Sequence, residues 1–107
     1  MATEKTVEKS DETPSKSNAV NMAKSYLDYT AFSKSGLIEQ LKYEGFNNAN
    51  ATYAVNQISV DWKKQAVKMA KSYLNYSSFS RSGLIEQLIF EGFSNEDATH
   101  AVDEAGL

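Results

Sequence analysis

His100 is the single imidazole in this 107-residue chain. General acid–base work would need it beside a converging carboxylate or nucleophile. There is no cysteine, which excludes thiolate nucleophiles, disulfides and cysteine-based zinc sites. No metal-ligand spacing accompanies the histidine. At the equivalent place 47 residues earlier stands Tyr53, so a structural or surface role is expected for His100. Glu39 and Glu86 occupy matching Gly-Leu-Ile-Glu-Gln-Leu segments. They belong to separate segments rather than to one carboxylate pair, and solvated helix faces are expected. Gly36 and Gly83 lack the glycine-rich run and following Lys-Ser/Thr of a phosphate loop. No catalytic residue, cofactor or metal is therefore expected, and the chain reads as a binding protein rather than an enzyme.

Charge is the sharper signal. Residues 19–58 carry Lys24, Lys34 and Lys42 against Asp28, Glu39 and Glu44, a net charge of zero. Residues 66–107 carry Lys68, Lys71 and Arg81 against Glu86, Glu91, Glu96, Asp97, Asp103 and Glu104, a net of −3. A surface of one sign can steer and select a basic partner. Those six carboxylates are the expected partner-binding residues. Aromatics recur as well: Tyr26 with Tyr29, and Tyr73 with Tyr76. Core packing with solvated hydroxyls is expected of them. Trp62 is expected to pack between the two halves.

Behind both patterns lies a duplication. Residues 19–58 align without a gap on 66–105, and 26 of the 40 positions are identical. Each copy holds three helical patterns. Ala19, Met22, Ala23, Tyr26 and Leu27 form one apolar stripe at three- and four-residue steps, over about Asn18 to Tyr29. Ser33 is placed to cap a short second helix, about Lys34 to Glu44, whose buried face is Leu37, Ile38 and Leu41. Gly45 suits the left-handed turn that ends it, and Asn47 can cap the third. In the second copy the same punctuation is Ser80, Gly92, Phe93 and Ser94. Ser94 and Asp97 resemble a capping box.

From Asn47 to Ser80 there is neither Gly nor Pro. Ala51, Val55, Ile58, Trp62, Ala66, Met69 and Tyr73 keep one helical phase throughout. The spacing predicts one continuous helix from about Asn48 to Tyr76, kinked or broken only if Ser59-Val60-Asp61 interrupts it. The expected fold is all-α: a tandem repeat of two three-helix, helix-turn-helix-like units joined by a long shared helix. The expected segments are a disordered tether at 1–18, repeat one at 19–58, a helical connector at 59–65 and repeat two at 66–107. Residues 1–18 hold the only Pro and one large apolar side chain beyond Met1, Val7, too little to offset chain entropy.

Net charge is −3, which runs against the basic footprint of a duplex-DNA binder. The second helices, KSGLIEQLKYEG and RSGLIEQLIFEG, each bring two glutamates and lack the cationic, base-reading face of a recognition helix. No nucleic-acid partner is expected. No run reaches the roughly 18 apolar residues of a membrane span, and a signal-peptide core is not seen near Met1.

The pattern Ala-x-x-Tyr-x-x-x-x-x-Phe-Ser-x-x-Gly-Leu-x-x-Gln-Leu-x-x-x-Gly-Phe-x-x-x-x-Ala-x-x-Ala-Val runs from Ala23 to Val55 and again from Ala70 to Val102. It resembles the repeat of the Ltp family of host cell-surface-exposed lipoproteins, which includes superinfection-exclusion lipoproteins of temperate phages. The resemblance implies lipid anchoring at the outer face of the host cell membrane through an N-terminal cysteine, which this sequence does not contain. It implies that 1–18 is the spacer to that anchor. It also implies that the chain blocks DNA injection by a second phage, through binding an injected phage protein such as a basic segment of the tape measure protein. A general cell-envelope adhesion module, binding wall polymer or a host protein, is the alternative. A monomer is expected in either case.

Overall fold

The computed structural model describes residues 13–107, and everything stated below refers to these. They form six helices: α1 (Pro14–Tyr29), α2 (Lys34–Tyr43), α3 (Asn48–Gln57), α4 (Trp62–Tyr76), α5 (Arg81–Phe90) and α6 (Asn95–Glu104). Among the described residues there is no strand.

Every helix begins on a side-chain cap that satisfies an otherwise orphan N–H. Gly36 N–H donates to Ser33 Oγ at 2.9 Å and Gly83 N–H to Ser80 Oγ at 3.0 Å. Asn50 N–H donates to Asn47 Oδ1 at 2.8 Å, and Asp97 N–H to Ser94 Oγ at 3.1 Å. The reciprocal arm of a capping box is not made, because the Asp97 carboxylate faces Lys63 Nζ at 3.6 Å instead. α2 and α5 end as expected. Gly45 and Gly92 have φ of 109° and 113°, and the next N–H, of Phe46 or Phe93, returns to Leu41 O or Leu88 O at 3.1 Å.

The two units repeat the same core. Buried Ala19, Ala23, Leu37, Leu41, Ala51, Ala54 and Val55 in unit one correspond, 47 residues on, to Ala66, Ala70, Leu84, Leu88, Ala98, Ala101 and Val102. Alanines at the helix crossings allow α1 to lie close on α3, and α4 on α6. The leucines of α2 and α5 then close each bundle. Larger side chains, Tyr26, Phe32 and Phe46 in unit one, cover the edges while half-buried. The described chain extends 57 × 21 × 20 Å, so the units are arranged end to end.

Two expectations are corrected. The shared helix does not exist: α3 ends at Gln57, Ile58 is extended (φ −91°, ψ 146°), and Asp61 caps a new helix by accepting from Lys64 N–H at 3.2 Å. Segment 59–65 is thus a non-helical Ser59–Asp61 link followed by the first turn of α4. Breaking the helix frees the direction of α4 from that of α3. Ile58 and Trp62 then both fold onto the core of unit one. Trp62 therefore belongs to unit one's edge. The second correction concerns 1–18. Thr13 caps α1, Pro14 takes its first position and the helix already runs through Asn18. Proline fits there because the first helical N–H has no partner to lose. The remainder of the expected tether, 1–12, lies outside the described residues.

Candidate protein-binding surface

The six carboxylates singled out from sequence sit on α5, α6 and the α5–α6 turn, but they are not equivalent. Glu91 is committed to the fold. Tyr73 O–H donates to its Oε2 at 2.5 Å, and Gln87 Nε2 donates to Tyr73 Oη at 3.1 Å and to Glu91 Oε2 at 3.2 Å. Unit one has the same triad: Tyr26 donates to Glu44 at 2.5 Å, with Gln40 bridging. The triad ties α1 to the end of α2, and α4 to the end of α5. Sequence reasoning missed it, although Tyr, Gln and Glu recur at identical separations of 14 and 4 residues in both copies. It raises both phenol pKa values above 10.0: at Tyr26 chiefly through the bond to Glu44, at Tyr73 chiefly through burial and then the bond to Glu91.

Glu96 and Asp97 flank Lys63 Nζ at 3.7 and 3.6 Å, and Asp103 pairs with Arg81 at 2.5 Å. These pairs hold α4 and α5 to α6, and each is solvent-exposed enough to be worth about 0–1 kcal/mol. The side chains of Glu86 and Glu104 have neither ion pair nor hydrogen bond within the described chain. Glu104 borders a groove with Lys63, Lys64, Lys68 and His100. His100 is half-buried there, and its side chain makes no hydrogen bond within the described chain.

The outer face of α5 also differs in chemistry from that of α2. On α2, Lys42 pairs with Glu39 at 3.2 Å, and Tyr43 follows. On α5 the same positions are Ile89, Glu86 and Phe90. The cation is gone, Glu86 stands unpaired, and Phe90 is 83% exposed with Ile89 beside it at 41%. One turn apart on a helix, Glu86, Ile89 and Phe90 share a face.

The tyrosine pairs divide. Tyr26 and Tyr73 pack edge-to-face on Phe32 and Phe79 at 5.7 and 5.6 Å, as core packing requires. Tyr29 and Tyr76 are 86% and 90% exposed, so core packing does not explain them. With Met22, Ser25 and Tyr26, Tyr29 lines an open groove; Met69, Ser72, Tyr73 and Tyr76 line its counterpart. Among the described residues no group of three metal-ligating side chains converges. None of their helices is long and apolar enough to cross a membrane.

Two small helical bundles with capped helices and an outward-facing set of carboxylates and aromatics form a tandem helical repeat. The family described as "Host cell surface-exposed lipoprotein" (Ltp) matches residues 15–58 and again 61–104, and the chain belongs to that family of host cell-surface proteins. It is also similar to a solved structure, that of Ltp, a superinfection exclusion protein from the Streptococcus thermophilus temperate phage TP-J34. The two share 33% identity and a TM-score of 0.78 over 89% of this chain and 97% of that one. No individually curated protein matches the chain in sequence.

Proposed function

We propose that the chain is a superinfection exclusion protein that stops an incoming phage from injecting DNA. It acts at the outer face of the host membrane by holding an injected phage protein, with a basic segment of the tape measure protein as the target. It does so by binding, without catalysis and without nucleic acid. Likeness to the exclusion protein of phage TP-J34 supports the biological setting. The observation that carries the binding chemistry is the face of α5: an unpaired Glu86 beside exposed Ile89 and Phe90, where unit one keeps an ion pair and a tyrosine. A carboxylate next to an aromatic anchor suits a segment in which Lys or Arg flanks apolar side chains. Glu96, Asp97, Asp103 and Glu104 extend the negative field along α6. The lysine and arginine that meet three of them are exposed and exchangeable.

The test is binding of a basic tape measure segment to the purified chain, paired with DNA injection into cells that display the chain. Neutralising Glu86, Glu91, Glu96, Asp97, Asp103 and Glu104 to their amides, with folding confirmed by circular dichroism, should weaken binding and restore injection. Affinity of the unaltered chain should fall as salt rises. Phe90→Ala combined with Glu86→Gln should reproduce most of the loss without touching any internal bond. Undiminished binding by both folded variants would remove this assignment. Retention of the chain on cell-wall material without phage would favour envelope adhesion instead.

A further inference from the structure

We propose that the chain also docks onto a second copy of itself, head to tail, by repeating between molecules the contact that joins its own two units. Inside the chain, the α1–α2 loop of unit one is held by unit two. Ser33 Oγ donates to the Glu91 backbone carbonyl at 2.5 Å, and Phe32 N–H donates to Gln65 Oε1 at 3.0 Å. Thr30 and Ala31 wall one side of the Met69–Tyr76 groove. Gly92 completes the fit: a Cβ there would come within 2.5 Å of Ser33 Oγ and closer still to Ser35.

Both halves of this loop contact exist a second time, unused; the Trp62 packing that also joins the units has no counterpart, since Ser15 stands at the equivalent place. The α4–α5 loop of unit two has the same Phe79, Ser80 and Ser82, preceded by the small residues Ser77 and Ser78. Ser33 is 1% exposed, whereas Ser80 is exposed. The receiving face of unit one has the same Glu44 and Gly45 and the same Met22–Tyr29 groove, here without a wall. Asn18, an exposed amide, stands where unit two has Gln65. A Cβ on Gly45 would meet nothing within 4 Å. One copy therefore presents the free loop and the next presents the free face. Such a contact is heterologous and leaves a new free face after each addition, so it builds open rows rather than closed dimers. It consists of a loop and no helix–helix packing, so it is weak in dilute solution and favoured where chains are concentrated on one surface. This goes beyond the capture of a phage protein and does not depend on it.

Disulfide trapping in this cysteine-free chain reads a weak contact directly. Ser82→Cys chain mixed with Gly45→Cys chain under mild oxidation should form a mixed dimer about tenfold faster than Ser82→Cys mixed with Lys24→Cys, because docking raises the local thiol concentration. The intrachain pair Ser35→Cys with Gly92→Cys is the reference for geometry and should close within one molecule. If strain at Gly45 unfolds that variant, Glu44→Cys replaces it, with Ser35→Cys and Glu91→Cys as its own reference. A mixed dimer forming no faster than the Lys24 control, while the intrachain reference closes, overturns the proposal. Ser78→Arg, at the loop position where Ala31 walls the groove inside the chain, should slow trapping to the control rate when it sits on the Ser82→Cys chain and not when it sits on the Gly45→Cys chain; equal slowing from both sides would overturn it as well.

Discussion

Units one and two share a core, residue for residue, and differ at their rims. The seven buried apolar side chains of unit one recur as the same residue types in unit two, where Phe93 is buried as an eighth while its counterpart Phe46 is half-buried. Yet Ser33 is sealed while Ser80 is open, Gly92 lies against Ser33 and Ser35 while Gly45 faces space, and α2 closes with an ion pair where α5 presents Ile89 and Phe90. Duplicated sequence specifies the bundle. What each bundle then contacts depends on its position in the chain, and that is where the two copies acquired different work.

Substitutions can break or sharpen this comparison. The largest effect is expected in the shared core. Leu37→Ala and Leu84→Ala should each cost about 2–5 kcal/mol in denaturant unfolding, by similar amounts, since both side chains are fully buried. A markedly cheaper loss in one unit would show that its core is not equivalent. The glycines should separate the units. Gly45→Ala meets only the strain of its positive φ, about 1–2 kcal/mol. Gly92→Ala adds overlap with Ser33 and Ser35, about 1–3 kcal/mol more by the scale of overpacked sites.

Ser33→Ala and Ser80→Ala each remove a helix cap, about 1 kcal/mol. Ser33→Ala also leaves the Glu91 carbonyl without its donor, so it should cost about 1–3 kcal/mol beyond Ser80→Ala. Equal costs in thermal melts would mean that the joint between units is not formed in solution. The smallest effect concerns alkaline pH. Folded Tyr26 and Tyr73 hold their protons more tightly than an unfolded tyrosine at 10.0. The stability they lend is complete below pH 10 and is lost as pH climbs through their raised values. Tyr26→Phe with Tyr73→Phe should flatten that alkaline decline, and an unchanged pH slope would show that the two triads do not form.

The caps and turns were legible because each is a local device. Ser33, Asn47, Ser80 and Ser94 precede the helices they start, and Gly45 and Gly92 follow the helices they end. The break after Gln57 was not legible in the same way. Ile58 and Trp62 keep helical spacing across it, because each packs on unit one's core from either side of the link. Periodicity records which side chains are buried, not whether the backbone between them stays helical. The carboxylates were legible as a charge excess but not as individuals. Only the fold shows Glu91 bound to Tyr73, three others facing Lys63 or Arg81, and Glu86 left unpaired.

By itself the sequence determined a duplicated, cysteine-free helical unit, four of its caps, most of its buried positions and the acidic bias of its second copy, since all of these are encoded within a few turns of chain. Tertiary structure alone decided the direction of α4, the burial of Ser33 against Glu91 and the exposure of Tyr29, Tyr76 and Phe90. Those depend on groups up to 58 residues apart meeting in space, and no local pattern of residue types specifies such a meeting.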